Sequence, residues 1–147
     1  MNLLALPIGP EGVAALIPHA GAMRLIDQVD AATSEEIMCS SRTHLSSDNP
    51  LRVNGVLPAS AAIEYAAQAM AAHAALANGG PPRRGFLVVA SGLAWSKDRL
   101  DAANAALIIH ARRLAAMAGG AQYAFSVSVG NEVEVTGTLT LQLAAET

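Results

Sequence analysis

The stretch GVLPASAAIEYAAQ, residues 55–68, sets one acidic side chain, Glu64, into an alanine-rich segment that begins at a proline. Pro58 suits the first turn of a helix, where its missing N–H leaves nothing unpaired, and strong helix formers then continue to about residue 77. About twenty residues of α-helix extend roughly 30 Å, which is enough to cross a sheet from edge to edge. The stretch therefore predicts one long helix lying on one sheet.

Six further segments have the residue pattern of strands, and short turns separate most of them. The predicted turns lie near Thr33 and Ser34, at Gly119–Gly120 and at Gly130–Asn131. Because strands come first, a helix next and several strands last, we expect an α+β fold with an antiparallel sheet and one helix-covered face. The predicted strands are residues 23–30, 36–46, 85–95, 105–114, 121–130 and 132–143.

The domain organisation follows from the absence of any linker-like stretch in the sequence. Residues 1–147 contain no polar or Pro/Gly-rich segment that would divide them into two credible halves, so we expect a single domain. Residues 1–15 form an N-terminal arm in this interpretation, and a short helix is predicted around residues 11–16.

The composition favours a protein that covers part of its surface with another subunit. Hydrophobic residues make up 52% of the sequence and charged residues only 14%, which is more apolar surface than a small monomer normally exposes. The net charge of −3, with Lys and Arg occurring singly or in pairs, excludes the basic stripe of a nucleic-acid-binding protein. We therefore expect a homodimer or a higher assembly of dimers, and no nucleic acid.

Cysteine usage and hydropathy bear on location and cofactors. The single cysteine, Cys39, cannot form an internal disulfide, and no Cys/His spacing resembles a zinc site, so we predict a cytoplasmic protein without a metal. The apolar run 59–77 approaches membrane-spanning length, but Glu64, Gln68 and His73 would each be costly in lipid. The run predicts a buried helix and no membrane insertion.

Glu64 is the first candidate for chemistry because its small apolar neighbours cannot replace the hydration that an ionised carboxylate loses. Gln68 lies four residues further on nearly the same side of the helix, where it could hydrogen-bond the carboxylate and fix its orientation. Two interpretations stay open at this point: a general acid or base, or a carboxylate satisfied by a structural partner such as an arginine.

The histidines offer Glu64 no partner within its own helix. His73 follows Glu64 by nine residues and therefore faces the opposite side. His44 shares a strand face with polar residues, which predicts an exposed or interface position, and His110 lies in an apolar strand, which predicts a structural or interface role. Asn49 could donate to a substrate hydroxyl or simply shape a turn.

Four segments, taken in order, resemble one known family. They are PHAGAMRLIDQV (18–29), DNPL (48–51), LPASAAIEYAAQ (57–68) and GFL (85–87). Over about residues 15–143 the sequence resembles the hot-dog fold 3-hydroxyacyl-[acyl carrier protein] dehydratases, most of all their divergent branch associated with aryl-polyene clusters. The resemblance implies an antiparallel sheet wrapped around one long central helix. It also implies dehydration of 3-hydroxyacyl thioesters of acyl carrier protein in fatty-acid or aryl-polyene-type lipid biosynthesis, without a cofactor.

The resemblance implies catalytic roles for the helix and its start. Glu64 matches the family's catalytic glutamate, and Pro58 and Ala59 match the helix start that binds the thioester carbonyl. A typical member also carries a histidine in the loop before the helix, which pairs across the dimer with the glutamate. That loop is RVNG (52–55) in this sequence and has no histidine. The family's pair of catalytic residues therefore cannot be assigned completely to residues of this sequence.

Three further residues are expected to support the site. Gln68 carries the family's spacing from the glutamate, and Asn49 lies beside the shortened loop. His19 belongs to the PHAGAM segment, in which the family's histidine is generally structural.

Three functions remain open from the sequence. The first is a hydro-lyase that uses Glu64 alone or with an unidentified residue. The second is a hot-dog acyl thioesterase, in which the helix carboxylate activates water or attacks the carbonyl. The third is a catalytically weak subunit that completes the dimer of another dehydratase. In each case we expect a dimer whose sheets join edge to edge and whose central helices lie side by side.

Overall fold

Six antiparallel strands form one sheet in the computed structural model, which describes residues 6–18, 20–78 and 85–143. A short helix α1, Pro10–Ala14, precedes the sheet, and the long helix α2, Ala62–Asn78, begins directly after a 3₁₀ turn at Ala59–Ala61. The strands are β1 Gln28–Ala32, β2 Glu36–Ser41, β3 Gly85–Trp95, β4 Leu107–Met117, β5 Gly120–Val129 and β6 Glu132–Leu143.

The strand order explains why the long helix crosses the sheet. The order is β1-β2-β4-β5-β6-β3, so the chain must travel from β2 to the opposite edge before β3 can pair with β6. Helix α2 makes that connection and packs against β2, β4, β5 and β6. The arrangement confirms the predicted hot-dog fold, in which an antiparallel sheet wraps around one central helix.

The core lies between α2 and the facing side of the sheet. Alternate residues of β4 and β5 point to the helix and are buried, as expected for a sheet with one covered face. Alanines on the inner side of α2 are buried as well, and since they carry no atom beyond Cβ they let the helix approach the sheet closely. These alanines are Ala62, Ala66, Ala69 and Ala72.

The hairpin turns lie close to their predicted positions. Gly130 and Asn131 separate β5 from β6, and Gly130 has a φ of 61°, which glycine adopts without strain. The turn between β4 and β5 falls at residues 118–119, one residue earlier than predicted. At the turn after β1, the Thr33 hydroxyl accepts the N–H groups of Glu35 and Glu36.

The first two predicted strands are longer than the observed ones. β2 ends at Ser41, and a 3₁₀ turn at Thr43–Leu45 replaces the predicted continuation to residue 46. The cause is local side-chain hydrogen bonding, because the Asp27 carboxylate accepts the Arg42 N–H at 2.8 Å and the Ser41 hydroxyl accepts the Thr43 N–H at 3.1 Å. Such bonds compete with the backbone ladder and turn the chain away from the sheet.

The described helices do not include one that is long and apolar enough to cross a membrane.

Candidate active site

Glu64 lies in the first turn of α2, with its side chain partly buried. Its carboxylate forms neither an ion pair nor a side-chain hydrogen bond with any residue that the structure describes. The first turn of a helix favours a negative charge because the helix dipole has its positive end there. An unpaired, half-covered carboxylate in this place is free to act on a ligand, and the alternative of a structural arginine partner finds no support among the described residues.

The start of the helix is tied to the segment after β3. Ala59 N–H donates to the Asp98 carbonyl at 2.8 Å, and Leu100 N–H donates to the Leu57 carbonyl at 2.9 Å. The predicted role of Ala59 as donor to a thioester carbonyl therefore needs correction, because its N–H group already has an acceptor. Pro58 contributes its carbonyl, which accepts the Ala61 N–H at 3.0 Å.

Ser60 offers the donor that Ala59 lacks. Its N–H forms no hydrogen bond with the described residues, and the residue is exposed. Ser60 lies in the 3₁₀ turn that leads into α2, four residues before Glu64. The start of the helix thus carries an N–H without a partner among the described residues and, within the next turn, a carboxylate.

Gln68 is fully buried and holds the chain segment before β1 against the helix. Its side-chain oxygen accepts the Leu25 N–H at 2.8 Å, and its side-chain nitrogen donates to the Met23 carbonyl at 2.7 Å. The carboxamide acts like a peptide group of a neighbouring strand. The predicted hydrogen bond from Gln68 to Glu64 does not occur among the described contacts; the carboxamide bonds instead to the backbone of Met23 and Leu25.

Asn49 also has a structural part in the described chain. Its amide nitrogen donates to the Thr43 carbonyl and to the Tyr65 hydroxyl, both at 3.0 Å, and its oxygen accepts the Leu51 N–H at 2.9 Å. The Tyr65 hydroxyl also bonds to the Thr43 hydroxyl at 2.7 Å. Burial raises the pKa of Tyr65 above its usual value. Asn49 therefore fixes the turn before the helix, and its predicted contact with substrate lacks a free donor.

The RVNG loop forms a rigid two-residue hairpin. Val53 and Val56 exchange both backbone hydrogen bonds, at 2.8 and 3.0 Å. Asn54 and Gly55 between them have φ values of 52° and 78°, the left-handed conformations that an Asn-Gly turn of type I′ requires. The segment in which the resemblance led us to look for a histidine is thus a tight turn, and Val53 at its start is exposed.

Arg52 fastens this hairpin, a role that the sequence analysis missed. Its guanidinium donates to the Ser46, Gly55 and His44 carbonyls and pairs with Asp101 at 2.6 Å. Arg99 and Arg52 donate hydrogen bonds to the Asp101 carboxylate, and these hold its pKa well below its usual range although burial opposes the shift. No periodic pattern marks such a residue, because its partners lie in three separate loops.

The described histidines all lie outside the 52–55 loop, and each has a partner elsewhere in the fold. His44 is fully buried, which corrects the exposed position expected for it, and one ring nitrogen bonds to the Ala105 carbonyl at 2.7 Å. His110 lies partly exposed on the outer face of β4, where it pairs with Glu36 at 3.0 Å. His19 lies outside the described residues.

His73 faces away from Glu64, as the helical spacing predicts. It is fully buried, and its ring nitrogens bond to the Tyr123 hydroxyl and to the Thr33 carbonyl. Because the Thr33 carbonyl can only accept, the nitrogen next to it carries the proton and the other nitrogen accepts the Tyr123 hydroxyl. Burial lowers the pKa of His73, so the ring is held neutral.

The chemistry available in one chain is therefore a carboxylate and a hydrogen-bond donor. Glu64 can take or give a proton, and Ser60 N–H can stabilise negative charge on a carbonyl oxygen. Within the described ranges no group of three or more His, Cys, Asp and Glu residues is arranged to hold a metal ion.

Comparisons with known proteins agree with this fold. The sequence model of the ApeP-like family, described as ApeP dehydratase, matches residues 11–146. No protein with a curated description matches the sequence significantly.

Among solved structures, the chain is similar to one in the dehydratase heterocomplex ApeI:P from Xenorhabdus doucetiae, with 22% identity, 91% of each chain covered and a TM-score of 0.81. It is also similar to AziG of S. sahachiroi, with 15% identity over 89% of this chain and 99% of that one and a TM-score of 0.61. Zebra fish thioesterase superfamily member 2 matches at 11% identity over 92% and 95% of the two chains, with a TM-score of 0.64.

Proposed function

Because the chain belongs to the ApeP-like dehydratase family, we propose that it is a subunit of a hot-dog dehydratase that acts on 3-hydroxyacyl thioesters of acyl carrier protein. The observation that carries the proposal is the Glu64 carboxylate, which has no partner among the described residues and lies four residues after Ser60, whose N–H also lacks a partner there. A thioester carbonyl held by that N–H would bring its α-carbon and β-hydroxyl to the carboxylate. We expect the protein to work in the cytoplasm.

The reaction needs three groups, and this chain offers two of them. A base removes the α-proton, an acid protonates the departing β-hydroxyl so that it leaves as water, and a donor stabilises the charge that develops on the thioester oxygen. Ser60 N–H is the proposed donor, in place of Ala59. Glu64 is the proposed acid or base, which leaves one proton-transfer role unfilled.

We propose that a second subunit fills that role with a histidine facing Glu64. The Asn54–Gly55 segment is a tight turn without a histidine, and the described histidines have partners elsewhere in the fold, which favours a group from another polypeptide. The similarity to a chain of a dehydratase heterocomplex supports a partner that is not identical to this chain. A homodimer, predicted from the sequence, is the alternative assembly.

The unpaired edge of the sheet supplies a surface for such a partner. β3 pairs only with β6 in the described sheet, and its outer residues include Val89, 49% exposed, and Trp95, 53% exposed. A long apolar edge strand invites pairing with another chain. Two subunits joined at β3 would form one continuous sheet, with their α2 helices side by side.

The remaining predicted residues support the site without touching substrate in this proposal. Gln68 and Asn49 hold the segments on either side of the helix start. Pro58 shapes that start, and the supporting role of His19 stays a prediction.

The experiment incubates a 3-hydroxyacyl pantetheine thioester with this protein alone, and with this protein plus a histidine-bearing hot-dog dehydratase subunit. It measures two products, the 2-enoyl thioester and the free thiol. Formation of 2-enoyl absorbance without free thiol, only in the mixture, is the expected result. Release of thiol would identify a thioesterase instead. Enoyl product from the single chain would support a self-sufficient homodimer and contradict the two-subunit proposal.

Glu64→Gln is the decisive variant because it keeps the shape of the side chain and removes the titrating proton. Glu11→Gln, on the exposed face of α1, is the matched control and should behave as the parent protein. Full turnover by the Glu64→Gln mixture would show that Glu64 is not the catalyst.

A further inference from the structure

Two neighbouring residues at the start of β6 reverse the burial that their sequence pattern predicts. In the run EVEV, residues 132–135, an alternating strand would turn both valines to one face and both glutamates to the other. Instead Val133 is 55% exposed and Glu134 only 5%. The cause is a bulge, because the pairing of β6 with β5 skips Glu134 between Val133 and Val135. Bulges re-aim side chains, and they are frequent beside functional sites.

The re-aimed Glu134 lines a groove at one end of the sheet. The groove has a volume of about 310 Å³ and a mainly apolar wall, and its residues are Ala94, Trp95, Ser96, Val133, Glu134 and Thr136. Trp95 is the single tryptophan of the sequence and is 53% exposed. A carboxylate largely withdrawn from water and an accessible aromatic side chain therefore border the same open space.

The carboxylate of Glu134 is incompletely paired within the described chain. One oxygen accepts the Ser96 hydroxyl at 2.6 Å, and the other is met among the described residues only by the Lys97 ammonium, at 3.4 Å. Lys97 lies closer to Glu132, at 3.2 Å, and its side chain is 50% exposed. An ion pair so open to water contributes little, so a ligand can compete with Lys97 for the carboxylate.

The two groups together favour one kind of cation. A guanidinium is planar and weakly hydrated, donates two parallel N–H groups to a carboxylate and stacks on aromatic rings. An alkylammonium ion holds its water more strongly and fits a mainly apolar groove less well. The attraction of a cation to the face of a tryptophan adds to the pairing with the carboxylate.

We propose that this groove binds a guanidinium group, with Glu134 as its counter-ion and Trp95 as its stacking surface. The group belongs to a small free ligand or to an arginine of another polypeptide, since both present the same chemistry. Neither Glu64 nor the proposed dehydration enters the inference, so the two can fail separately.

The fluorescence of Trp95 reports binding directly, because the chain has no other tryptophan. The purified chain is titrated with ethylguanidinium at constant ionic strength and at millimolar concentrations, which are too low to unfold it. We expect a saturable change in emission, and we expect ethylammonium to bind at least about threefold more weakly. A response that does not saturate, or equal binding of the two cations, would overturn the proposal.

Two carboxylates that share Lys97 provide a matched pair of variants. Glu134→Gln keeps the shape of the side chain and removes its charge, so it should weaken ethylguanidinium binding at least about tenfold. Glu132→Gln is the control, because Glu132 is 72% exposed and does not line the groove. Its affinity should stay within about twofold of the parent value. Equal losses in the two variants would refute the role of Glu134.

Lys97→Gln tests the competition from the opposite direction. It removes the ammonium next to Glu134, so binding should become about two- to threefold tighter. Weaker binding would mean that Lys97 belongs to the site and would contradict the proposal. The substitution lies at a half-exposed side chain, and it therefore remains informative if Glu134→Gln fails to fold.

Sedimentation of the assembly identifies the source of the guanidinium. If it is an arginine of the proposed partner subunit, Glu134→Gln should weaken assembly with that subunit and Glu132→Gln should not. If it is a free ligand, both variants should assemble like the parent chain while Glu134→Gln still loses ethylguanidinium binding. Weaker assembly in Glu134→Gln without any loss of ethylguanidinium binding would contradict a guanidinium site.

Discussion

Arg52 and Asp101 form an ion pair of 2.6 Å that joins the loop before the central helix to the loop after β3. Their side chains are 15% and 5% exposed, so the pair is largely withdrawn from water. The two loops also share the Ala59–Asp98 and Leu57–Leu100 backbone bonds. The position of Ser60 and Glu64 therefore depends on a contact about fifty residues apart in sequence, which removal of one charge would break.

Arg52→Met should lower the free energy of unfolding by about 2 kcal/mol, because it removes one of the two guanidinium partners of a largely buried carboxylate and the donor to three backbone carbonyls. Urea unfolding followed by circular dichroism measures the change. Arg99→Met is the control: Arg99 binds the same carboxylate from a side chain that is 45% exposed, so its loss should destabilise the protein less than the loss of Arg52. Equal losses in the two variants would contradict the central role of Arg52.

Glu64→Gln should reduce dehydration by about 10² to 10⁴-fold, the range expected on loss of a general acid or base. The stability should change little, because the carboxylate has no partner among the described residues that the substitution could remove. The dehydration rate is measured as turnover with a histidine-bearing partner subunit, and the stability is measured by thermal unfolding. A large loss of stability would mean that Glu64 has a structural partner after all.

Gln68→Leu should destabilise the fold by about 2 to 4 kcal/mol, since it leaves the buried Leu25 N–H and the Met23 carbonyl without partners. Urea unfolding checks this value. Gln142→Leu, at an exposed position of β6, should change stability by less than about 0.5 kcal/mol. If Gln68 acted mainly on the carboxylate of Glu64, Gln68→Leu would instead lower turnover without this loss of stability.

Local pattern was sufficient to predict the helix and the existence of all six strands, because burial on one face imposes a period that the sequence carries. The pattern did not predict where β2 ends. Asp27 and Ser41 accept backbone N–H groups there in place of a neighbouring strand, and such bonds leave no periodicity in the sequence. The pattern selected Glu64, whose role stays a prediction, and it misassigned the partner of Gln68, which lies more than forty residues earlier in the chain. Such pairings need the fold before they can be seen.

The buried pair of His73 and Tyr123 should make stability depend on pH. Burial lowers the pKa of His73 in the folded protein, so below the ordinary histidine pKa of about 6.5 the unfolded chain binds more protons than the folded one. Stability should therefore be greater at pH 7.5 than at pH 5.5. His44, whose pKa is also lowered chiefly by burial, adds to the same trend.

His73→Gln should reduce the pH dependence, measured as the difference in urea midpoint between the two pH values. Tyr123→Phe is the control, because it removes the hydroxyl but keeps the buried imidazole, whose burial is the main cause of the shift. That variant should be less stable at both pH values and retain most of the difference between them. An unchanged pH dependence in His73→Gln would assign the effect to other groups.

Val89→Lys should weaken assembly because it puts a charge on the unpaired edge of β3, where a lysine discourages pairing with another strand. Sedimentation velocity at micromolar concentration should show a shift to monomer, and turnover with the partner subunit should fall with it, since the proposed site is completed across that edge. Met38→Lys is the matched control: Met38 is 37% exposed on β2, which has neighbours on both sides. An interface at β3 requires that the assembly persists in Met38→Lys and dissociates in Val89→Lys. Dissociation in Met38→Lys alone would place the interface on the outer face of the sheet instead.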